Sequence, residues 1–385
     1  MHHPIPKLKS LHIIHSDGDG GGPNTVLNHV FYYLNSSDIS WHYKILHGGQ
    51  GRIARTCQQF GIPHHQIPLD KIWLAPLGVL SIIHQIHKFK PDVIFLHGQT
   101  AGIWGALAIL LSPSIPAIYV TQWPSFYTDW DLYRVIRNYT VEWWPCRVSS
   151  SIVAISPGCH DEYLRRFPFV EKKLKYIPNA APSTPPVIPE KKSALRTQLG
   201  WHPDLCHVLC ASRISTQKRL DWLLEAWKII EPQHPNARLW IAGSGELDSQ
   251  IRRHAQNLNL QHCTFLGYRS DSRDLIAAAD IVAMPTMYEG HANIPLEAMA
   301  SGTPIVACEV DGVIGSFKNG QSGFLVPPAD PAAFADAISQ LIASPTLRQK
   351  MSESAALEIQ KFNPSHVMQQ YKDLILSLTA HPLKN

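Results

Sequence analysis

Four charged side chains in the second half of the chain have types and spacing that suit a diphosphate and a sugar. Arg213 and Lys218 flank the loop between a predicted strand and a helix, where an Arg fork and a Lys point charge can neutralise phosphates. Glu289 follows a later strand and Glu297 falls in the first turns of the next helix, and carboxylates accept hydrogen bonds from paired ring hydroxyls. Each charge alone is typical of a solvated surface, but their shared place at strand ends favours one binding site.

Two glycine-containing segments of the same half support a phosphate site. Gly243-Ser-Gly245 makes a tight turn after a strand, where missing side chains let the backbone approach a ligand. Gly290-His-Ala-Asn293 precedes a helix that starts near Ile294, and the amides at a helix start favour an anion. The second half is therefore predicted to bind a phosphate-bearing substrate.

The first half has its own glycine-rich turn, Ser16-Asp-Gly-Asp-Gly-Gly-Gly-Pro-Asn24. Its glycines have the wrong spacing for a dinucleotide fingerprint, and the second strand ends in His47-Gly-Gly rather than in an acid. Asp17 and Asp19 resemble the start of a calcium loop, but its twelfth position is Asn28 rather than Glu. The same two acids match an Asp-x-Asp metal motif. A plain strand-to-helix turn without a ligand is the remaining interpretation.

Short apolar runs alternate with helix-like segments along almost the whole chain, which predicts parallel sheets covered on both faces. The predicted strands are 11–15, 43–46, 93–97, 117–121, 152–155, 208–211, 238–242, 264–267, 281–285 and 304–308. The predicted helices include 24–34, 77–89, 220–230, 247–257, 294–301 and 364–378. Ligands of such sheets bind at the carboxyl ends of the strands, so His97 is a further candidate residue.

Residues 177–189 contain five prolines in thirteen positions and are predicted to be a flexible linker. The predicted organisation is an N-terminal Rossmann-like domain at 1–182, a second at 183–362, and a C-terminal helix at 363–385 that packs back on the first domain. Two such units leave a cleft between them.

Composition excludes several classes of protein. With 45% apolar and 17% charged residues, the chain can bury large cores and is not disordered. The net charge of +4 is too small to indicate nucleic acid as a partner. Seven scattered cysteines, an N-terminus without a signal peptide's apolar core, and a longest apolar run at 102–111 predict a cytoplasmic protein without a membrane span.

Residues 122–145 hold eight aromatic side chains and two arginines. Aromatic faces stack on sugar rings and lie at lipid headgroups, so Trp123, Tyr127 and Trp130 are candidate acceptor contacts. On this hypothesis the acceptor is lipid-linked and the protein touches the inner face of the membrane peripherally. The other interpretation is a helical pair whose aromatic side chains pack into the first domain.

Together these motifs resemble those of the retaining nucleotide-sugar glycosyltransferases of family 4, glycosyl transferases group 1. The motifs are Glu289-x7-Glu297, Arg213-x4-Lys218, Ile177-Pro-Asn179 and Asn319-Gly-Gln-Ser-Gly-Phe-Leu-Val326. They fit in order from about residue 10 to about residue 378, nearly the whole chain. The resemblance implies an α/β fold of the GT-B type, in which two Rossmann-like, doubly wound parallel-sheet domains face each other across a cleft.

The resemblance also implies a role for each matching residue. Arg213 and Lys218 would grip the donor diphosphate. Glu297 would hold the nucleotide ribose and Glu289 the sugar hydroxyls, while His97 would reach the donor sugar from the first, acceptor-binding domain. Further donor contacts are implied for Gly21, Gly22, Gly243, Gly245, Gly290, His291, Ala292, Asn293 and Ile294.

The implied reaction moves a hexose or N-acetylhexosamine from a nucleoside diphosphate sugar, with UDP expected, to a hydroxyl of a glycan, glycolipid or small-molecule acceptor. No nucleophile backed by a base stands out, which favours same-face substitution with a donor phosphate oxygen taking the acceptor proton. His97 is the alternative proton partner. The two cations replace a metal, so no cofactor is expected.

Some residues depart from the family pattern, and other functions stay open. Ser212 and Arg219 stand where glycines are common, and His291 and Ala292 stand where an aromatic and a small residue are typical. The donor sugar is therefore undetermined. A sugar-nucleotide epimerase of the same fold and a catalytically silent binding protein are the alternatives, and the sequence does not indicate an oligomeric state.

Overall fold

The computed structural model of the 385-residue chain describes residues 7–15, 40–49, 51–68, 75–112, 114–121, 132–182 and 187–379. Its contacts divide the chain into two compact units, Met1–Ala180 with Pro364–Asn385, and Ala181–Asn363. The sequence predicts boundaries after residues 182 and 362, and the contacts place them after 180 and 363. The first unit is therefore built from both ends of the chain.

The first unit contains a seven-stranded parallel sheet. Its strands are β1 (Lys7–Ile14), β2 (Ser40–His47), β3 (His64–Gln66), β4 (Val93–His97), β5 (Ala117–Thr121), β6 (Ser151–Ala154) and β7 (Leu174–Tyr176). Their order in the sheet is β3-β2-β1-β4-β5-β6-β7. The α-helices of this unit are Arg52–Gln59, Ala75–Phe89, Gln99–Leu110, Leu132–Val148, Pro157–Arg166 and Pro364–Thr379.

Each face of this sheet has its own apolar core, because side chains alternate along a strand. On one face Leu11 and Leu96 lie in a cluster with Ile82 of the helix Ala75–Phe89. On the other face Phe95 lies in a cluster with the C-terminal helix, whose buried side chains recur at helical spacing: Val367, Met368, Tyr371, Leu374 and Ile375. That apolar stripe explains why this helix belongs to the first unit.

The second unit contains a six-stranded parallel sheet. Its strands are β8 (Cys206–Ala211), β9 (Ala237–Ala242), β10 (Cys263–Gly267), β11 (Ile281–Met284), β12 (Ile305–Cys308) and β13 (Gly323–Val326), in the order β10-β9-β8-β11-β12-β13. The α-helices are Pro189–Leu199, Leu220–Ile230, Asp248–Asn257, Ser272–Ala278, Asn293–Ser301, Pro331–Ala343 and Pro345–Glu358. Since β8 lies between β9 and β11, the loops after these three strands meet at one edge of the sheet.

The predicted flexible linker is wrong over its first part. Ile177 and Ala180 are buried in the core of the first unit, and Ala181 is buried in that of the second. Pro189 begins the helix Pro189–Leu199, where a proline fits because the first helical amide has no acceptor in the helix. Only residues 183–186 of this segment lie outside the described residues. The described part of this segment therefore includes packed chain and the start of a helix.

Three strands escaped the sequence analysis, and each is short. β3 and β7 have three residues each and β13 has four. The predicted helix at 24–34 lies outside the described residues. All seven cysteines are described and are free thiols. In the described ranges, no helix has both the length and the apolar character needed to cross a membrane.

Candidate active site

Two of the predicted charges form an ion pair at the carboxyl edge of the second sheet. Lys218 ends the short 3-10 turn Thr216–Lys218 after β8, and its Nζ donates to Oε1 of Glu289 in the loop after β11. The two side chains are only 20% and 10% exposed. Thr286 Oγ1 donates to the same carboxylate oxygen at 2.8 Å. The sequence predicts both charges in the site but not their contact, which depends on β8 and β11 being neighbours.

Gln217 joins the two loops that carry this pair. Its backbone oxygen accepts from the Met287 amide at 2.9 Å, and its side-chain Nε2 donates to the Tyr288 carbonyl at 2.7 Å. Because Gln217 directly precedes Lys218, these bonds fix the lysine against the loop of Glu289. The cation and the carboxylate are therefore positioned before any ligand binds, which is what electrostatic catalysis requires.

Gly243 and Gly245 let the loop after β9 pack against the loop after β8. A Cβ at Gly243 would lie 1.8 Å from the carbonyl oxygen of Ser212, and one at Gly245 would lie 2.2 Å from that of Ile214. The Ile214 amide donates to the Ser244 carbonyl at 3.0 Å across the same contact. The sequence predicts that these glycines let the backbone approach a ligand. In the structure their missing side chains make room for the backbone on both sides of Arg213.

Arg213 is held more loosely than Lys218. Its Nη2 lies 3.4 Å from Oε2 of Glu246, and the two side chains are 73% and 52% exposed. An ion pair this exposed contributes little to stability. Glu246 follows the Gly243-Ser-Gly245 turn directly, at the strand end where the sequence predicts polar residues of the site. Arg213 therefore has the freedom to move onto a ligand, whereas Lys218 is fixed.

Glu297 lies on the helix Asn293–Ser301, and its side chain is 12% exposed. Arg273 Nε of the helix Ser272–Ala278 lies 3.6 Å from its Oε1. No motif in the sequence points to Arg273. The helix begins after Ala292, which provides no side-chain cap, and its first amides have no acceptor within the helix. An anion at this helix start stays a prediction.

His291 and Gly290 are both buried beside Glu289. The His291 ring lies 6.1 Å from the Phe362 ring, and burial lowers the pKa of His291 to about 4. This imidazole is therefore neutral at physiological pH and packs in the second unit. The sequence predicts His291 as a donor contact at a position where an aromatic residue is typical. Its packing against Phe362 is in keeping with the aromatic character of that position.

His97 ends β4 and is buried in the first unit. Its Nε2 lies 3.1 Å from Nδ1 of His12, and Nε2 of His12 lies 3.2 Å from Oγ of Ser10. Phe95 stacks on His12 with ring centroids 4.6 Å apart. The sequence analysis missed Ser10 and His12, because they lie inside an apolar strand. Their spacing of two residues, which places both on one face, was the available signal.

The remaining predicted residues divide into two groups. Outside the described residues lie Asp17, Asp19, Gly21, Gly22, Trp123, Tyr127 and Trp130. Tyr139 and Trp143, in the helix Leu132–Val148, pack within the first unit. Tyr139 lies 4.9 Å from Phe167 and Trp143 lies 6.3 Å from Phe169, measured between ring centroids. Among the described residues, no group of three or more His, Cys, Asp or Glu side chains is arranged to hold a metal ion.

Known proteins resemble both units. Residues 191–358 match the family model of the glycosyl transferases group 1, and residues 44–183 match that of the Glycosyltransferase Family 4. EpsD of Bacillus subtilis, which is named as a glycosyltransferase, is 24% identical over 354 residues, covering 90% of this chain and 92% of EpsD. These matches confirm the predicted enzyme class.

A second relative and a solved structure extend the comparison. A GDP-mannose-dependent monoacylated alpha-(1-6)-phosphatidylinositol monomannoside mannosyltransferase of Corynebacterium glutamicum is 32% identical over 185 residues, covering 46% of this chain and 48% of that protein. HepE of Anabaena, solved with UDP-glucose, superposes with a TM-score of 0.83 at 22% identity, over 96% of this chain and 100% of HepE. The second unit therefore carries a domain of the glycosyl transferases group 1 and the first unit one of the Glycosyltransferase Family 4, and the chain is a glycosyltransferase with the two-domain GT-B fold.

Proposed function

We propose that this glycosyltransferase moves a hexose or N-acetylhexosamine from a nucleoside diphosphate sugar to an acceptor hydroxyl, with retention of the anomeric configuration. The observation that carries the proposal is the preformed Lys218–Glu289 pair, which Gln217 and Thr286 fix in place. A cation for the diphosphate and a carboxylate for the sugar hydroxyls stand one hydrogen bond apart. The acceptor belongs to a glycan, a glycolipid or a metabolite.

Stabilisation of the leaving group is the main task of these residues. The bond between the sugar C1 and the diphosphate oxygen breaks with its electron pair staying on that oxygen. Lys218 and Arg213 meet the charge that develops, and preorganised charge of this kind is usually the largest contribution to catalysis. Glu289, whose Oε1 accepts from Lys218 and Thr286, is the carboxylate that we assign to a sugar hydroxyl.

The acceptor oxygen then forms its bond to C1 on the face from which the diphosphate leaves. Its proton passes to an oxygen of the departing phosphate, so the products are the glycoside and the nucleoside diphosphate. Glu297 holds the ribose through its carboxylate, and Arg273 orients that carboxylate. No metal is assigned a role, because Lys218 and Arg213 supply the positive charge.

UDP is the proposed nucleotide, on the precedent of HepE with UDP-glucose, although the Corynebacterium relative uses GDP-mannose. Thermal unfolding with UDP, GDP, ADP and dTDP tests this choice. A ligand at about 100 times its Kd stabilises the folded state by about 2.7 kcal/mol, which raises the Tm by several degrees.

The matched variants for this test are Glu297→Gln and Glu353→Gln. Glu353 is exposed on the helix Pro345–Glu358 and belongs to none of the predicted site motifs, so its variant should respond like the wild-type protein. Selective stabilisation by one nucleotide, lost only in Glu297→Gln, is the expected result. If no nucleoside diphosphate raises the Tm, the proposed donor class is wrong.

We also propose that the protein works in the cytoplasm and contacts the inner face of the membrane peripherally. Seven free cysteines support a reducing compartment, and the aromatic residues Trp123, Tyr127 and Trp130 support the membrane contact. Sedimentation with anionic liposomes tests the second part, with neutral liposomes as the control. Absence of the protein from the anionic pellet contradicts a membrane contact.

A further inference from the structure

Arg219 has a backbone conformation that residues other than glycine rarely adopt. Its φ is 44° and its ψ is 47°, in the left-handed region, and it directly precedes the helix Leu220–Ile230. The residue before a helix is normally extended. Lys90 and Asn259, which also have positive φ, follow helices, where the left-handed region is common. A strained position persists only when its surroundings impose it.

The neighbours of Arg219 are fixed on both sides. Gln217 is bonded to the loop after β11 through its backbone oxygen and its side chain, and Lys218 is paired with Glu289. Leu220, the next residue, is 1% exposed and lies in the core of the second unit. The chain therefore turns at Arg219 so that Lys218 reaches the carboxylate while the helix stays packed on the core.

The side chain of Arg219 is held against the first turn of the helix that it precedes. Its Nε donates to Oδ1 of Asp221 at 3.0 Å and its Nη2 donates to Oδ2 at 2.6 Å, so the pairing has two bonds. The guanidinium carbon lies 4.3 Å from the ring centroid of Trp222. The guanidinium is therefore directed at the helix start.

We infer that Arg219 is a positioning residue, whose contacts with Asp221 and Trp222 hold the left-handed turn that presents Lys218 to Glu289. The other role for a cation beside Lys218 is a further ligand of the diphosphate. The two roles make different predictions for glycine, which has no charge but adopts this turn without strain. The inference rests on the proposed function only in assigning the diphosphate to Lys218.

Thermal unfolding of Arg219→Ala and Arg219→Gly without ligand tests the strained turn. Both variants lose the guanidinium, but only alanine keeps the strain, so the Tm of Arg219→Gly should be about 2–4 °C higher. Arg252 is the matched control, because it donates to Asp248 at 2.8 Å and lies 4.6 Å from the Phe265 ring centroid, within a helix. There the glycine variant should be less stable than the alanine variant. Equal Tm values for the two Arg219 variants overturn the inference.

The rate at which an acylating reagent labels the Lys218 amine, read by mass spectrometry, tests what the turn does for the lysine. Lys218 is 20% exposed in its ion pair, so we expect slow labelling in the wild-type protein and in Arg219→Gly. Labelling should be about fivefold faster in Arg219→Ala, relative to the exposed Lys228 in the same sample. Unchanged labelling of Lys218 in Arg219→Ala overturns the positioning role. These measurements need no substrate.

Calorimetric titration with the nucleoside diphosphate that raises the Tm most distinguishes the two roles of Arg219. For a positioning residue, affinity should fall about fivefold in Arg219→Ala and recover in Arg219→Gly. Asp221→Ala should weaken binding in the wild-type background but not in Arg219→Gly, where no strain needs its contact. Equal losses in Arg219→Ala and Arg219→Gly would indicate a diphosphate ligand and overturn the inference. If the wild-type protein binds no nucleoside diphosphate, the proposed donor class is wrong, while unfolding and labelling still decide the inference.

Discussion

At the carboxyl edge of the second sheet the candidate residues are ions, whereas at the same edge of the first sheet they are hydrogen-bonded imidazoles. Lys218 and Glu289 form an ion pair, which the hydroxyl of Thr286 and the side-chain amide of Gln217 hold in place. His12 and His97 are joined by a hydrogen bond, and the buried hydroxyl of Ser10 is hydrogen-bonded to His12. Both edges use short side-chain contacts, and those of the second edge join a lysine to a carboxylate.

The difference matches two separate tasks in sugar transfer. A departing diphosphate develops negative charge, and fixed cations act on that charge directly. A sugar is neutral, and hydrogen-bonding side chains can orient its hydroxyls without the cost of burying an ion. The comparison therefore predicts that changes at the second edge impair handling of the diphosphate, while changes at the first edge affect turnover more gently.

Removal of the fixed cation should have the largest effect. In Lys218→Met the carboxylate of Glu289, 10% exposed, loses its counter-ion and the diphosphate loses a positive charge. We expect kcat/KM to fall by about 10²–10³, as for other preorganised groups that stabilise a transition state. Lys228→Met, in an exposed lysine on the helix Leu220–Ile230, is the control and should keep wild-type kinetics. A loss below about tenfold in Lys218→Met would contradict the assigned role.

A variant of the buried His291 tests whether the second unit also holds a neutral imidazole. Burial lowers its folded pKa to about 4 from the ordinary histidine value of 6.5, so the unfolded state binds the proton first as the pH falls. Stability from this group is complete above about pH 6.5 and is lost toward pH 4, by about 3 kcal/mol in total.

His291→Phe cannot take up that proton, so its Tm should depend less steeply on pH between about 6.5 and 4. Thermal unfolding across this range, on both proteins, makes the measurement. Parallel Tm curves for the wild-type protein and His291→Phe would show that His291 is not the group responsible.

The glycines at the second edge give a matched pair of variants. Gly243 and Gly267 both have positive φ, but an added Cβ meets the Ser212 carbonyl at Gly243 and open space at Gly267. Gly267→Ala should cost about 1 kcal/mol from backbone strain alone. Gly243→Ala should cost about 2 kcal/mol more and weaken nucleotide binding, because the loop of Arg213 must shift. Equal losses of Tm in the two variants would contradict this account of the contact.

The hydroxyl of Thr286 should matter less than the lysine. Thr286→Val keeps the volume and removes the hydrogen bond to Glu289, which should lower kcat/KM about tenfold. Thr286→Ser keeps the hydroxyl and should recover most of the activity. Steady-state kinetics on both variants distinguish positioning from packing, since equal impairment of the two would indicate that the methyl group matters instead.

Chelation should have the smallest effect. We expect the same turnover with and without a divalent-metal chelator, because Lys218 and Arg213 supply the positive charge. The activity assay with the chelator present and after its dilution makes the measurement. Loss of turnover that a divalent metal restores would favour the Asp17-Gly-Asp19 metal interpretation and would remove the contrast between the two edges.

Much of the fold could be predicted from the sequence, because apolar runs bounded by polar residues identify buried parallel strands. β4, β5 and the helix Leu220–Ile230 have the predicted bounds. β3 and β7 were missed because three-residue strands contain too few positions to show a pattern. The apolar spacing at 364–378 likewise predicts the C-terminal helix, Pro364–Thr379.

The site could be predicted in its residue types but not in its contacts. The charges at 213, 218, 289 and 297 have a recognisable spacing, whereas the Lys218–Glu289 contact follows from the order of β8 and β11 in the sheet. Gln217 and Arg273 carry no signal, because each acts through residues distant in sequence. His12 lies in an apolar strand, and its contact with His97 follows from the pairing of β1 with β4, which the sequence does not show.

Calorimetric titration with a nucleoside diphosphate, its monophosphate and its nucleoside tests most directly whether the second edge alone handles the charge. All three ligands carry the base whose nucleoside diphosphate raises the Tm most. They are titrated into the wild-type protein, Lys218→Met and Ser10→Ala. We predict that the wild-type protein prefers the diphosphate, that Lys218→Met loses this preference and that Ser10→Ala keeps it. A diphosphate preference that survives in Lys218→Met, or disappears in Ser10→Ala, would contradict the division of tasks between the two edges.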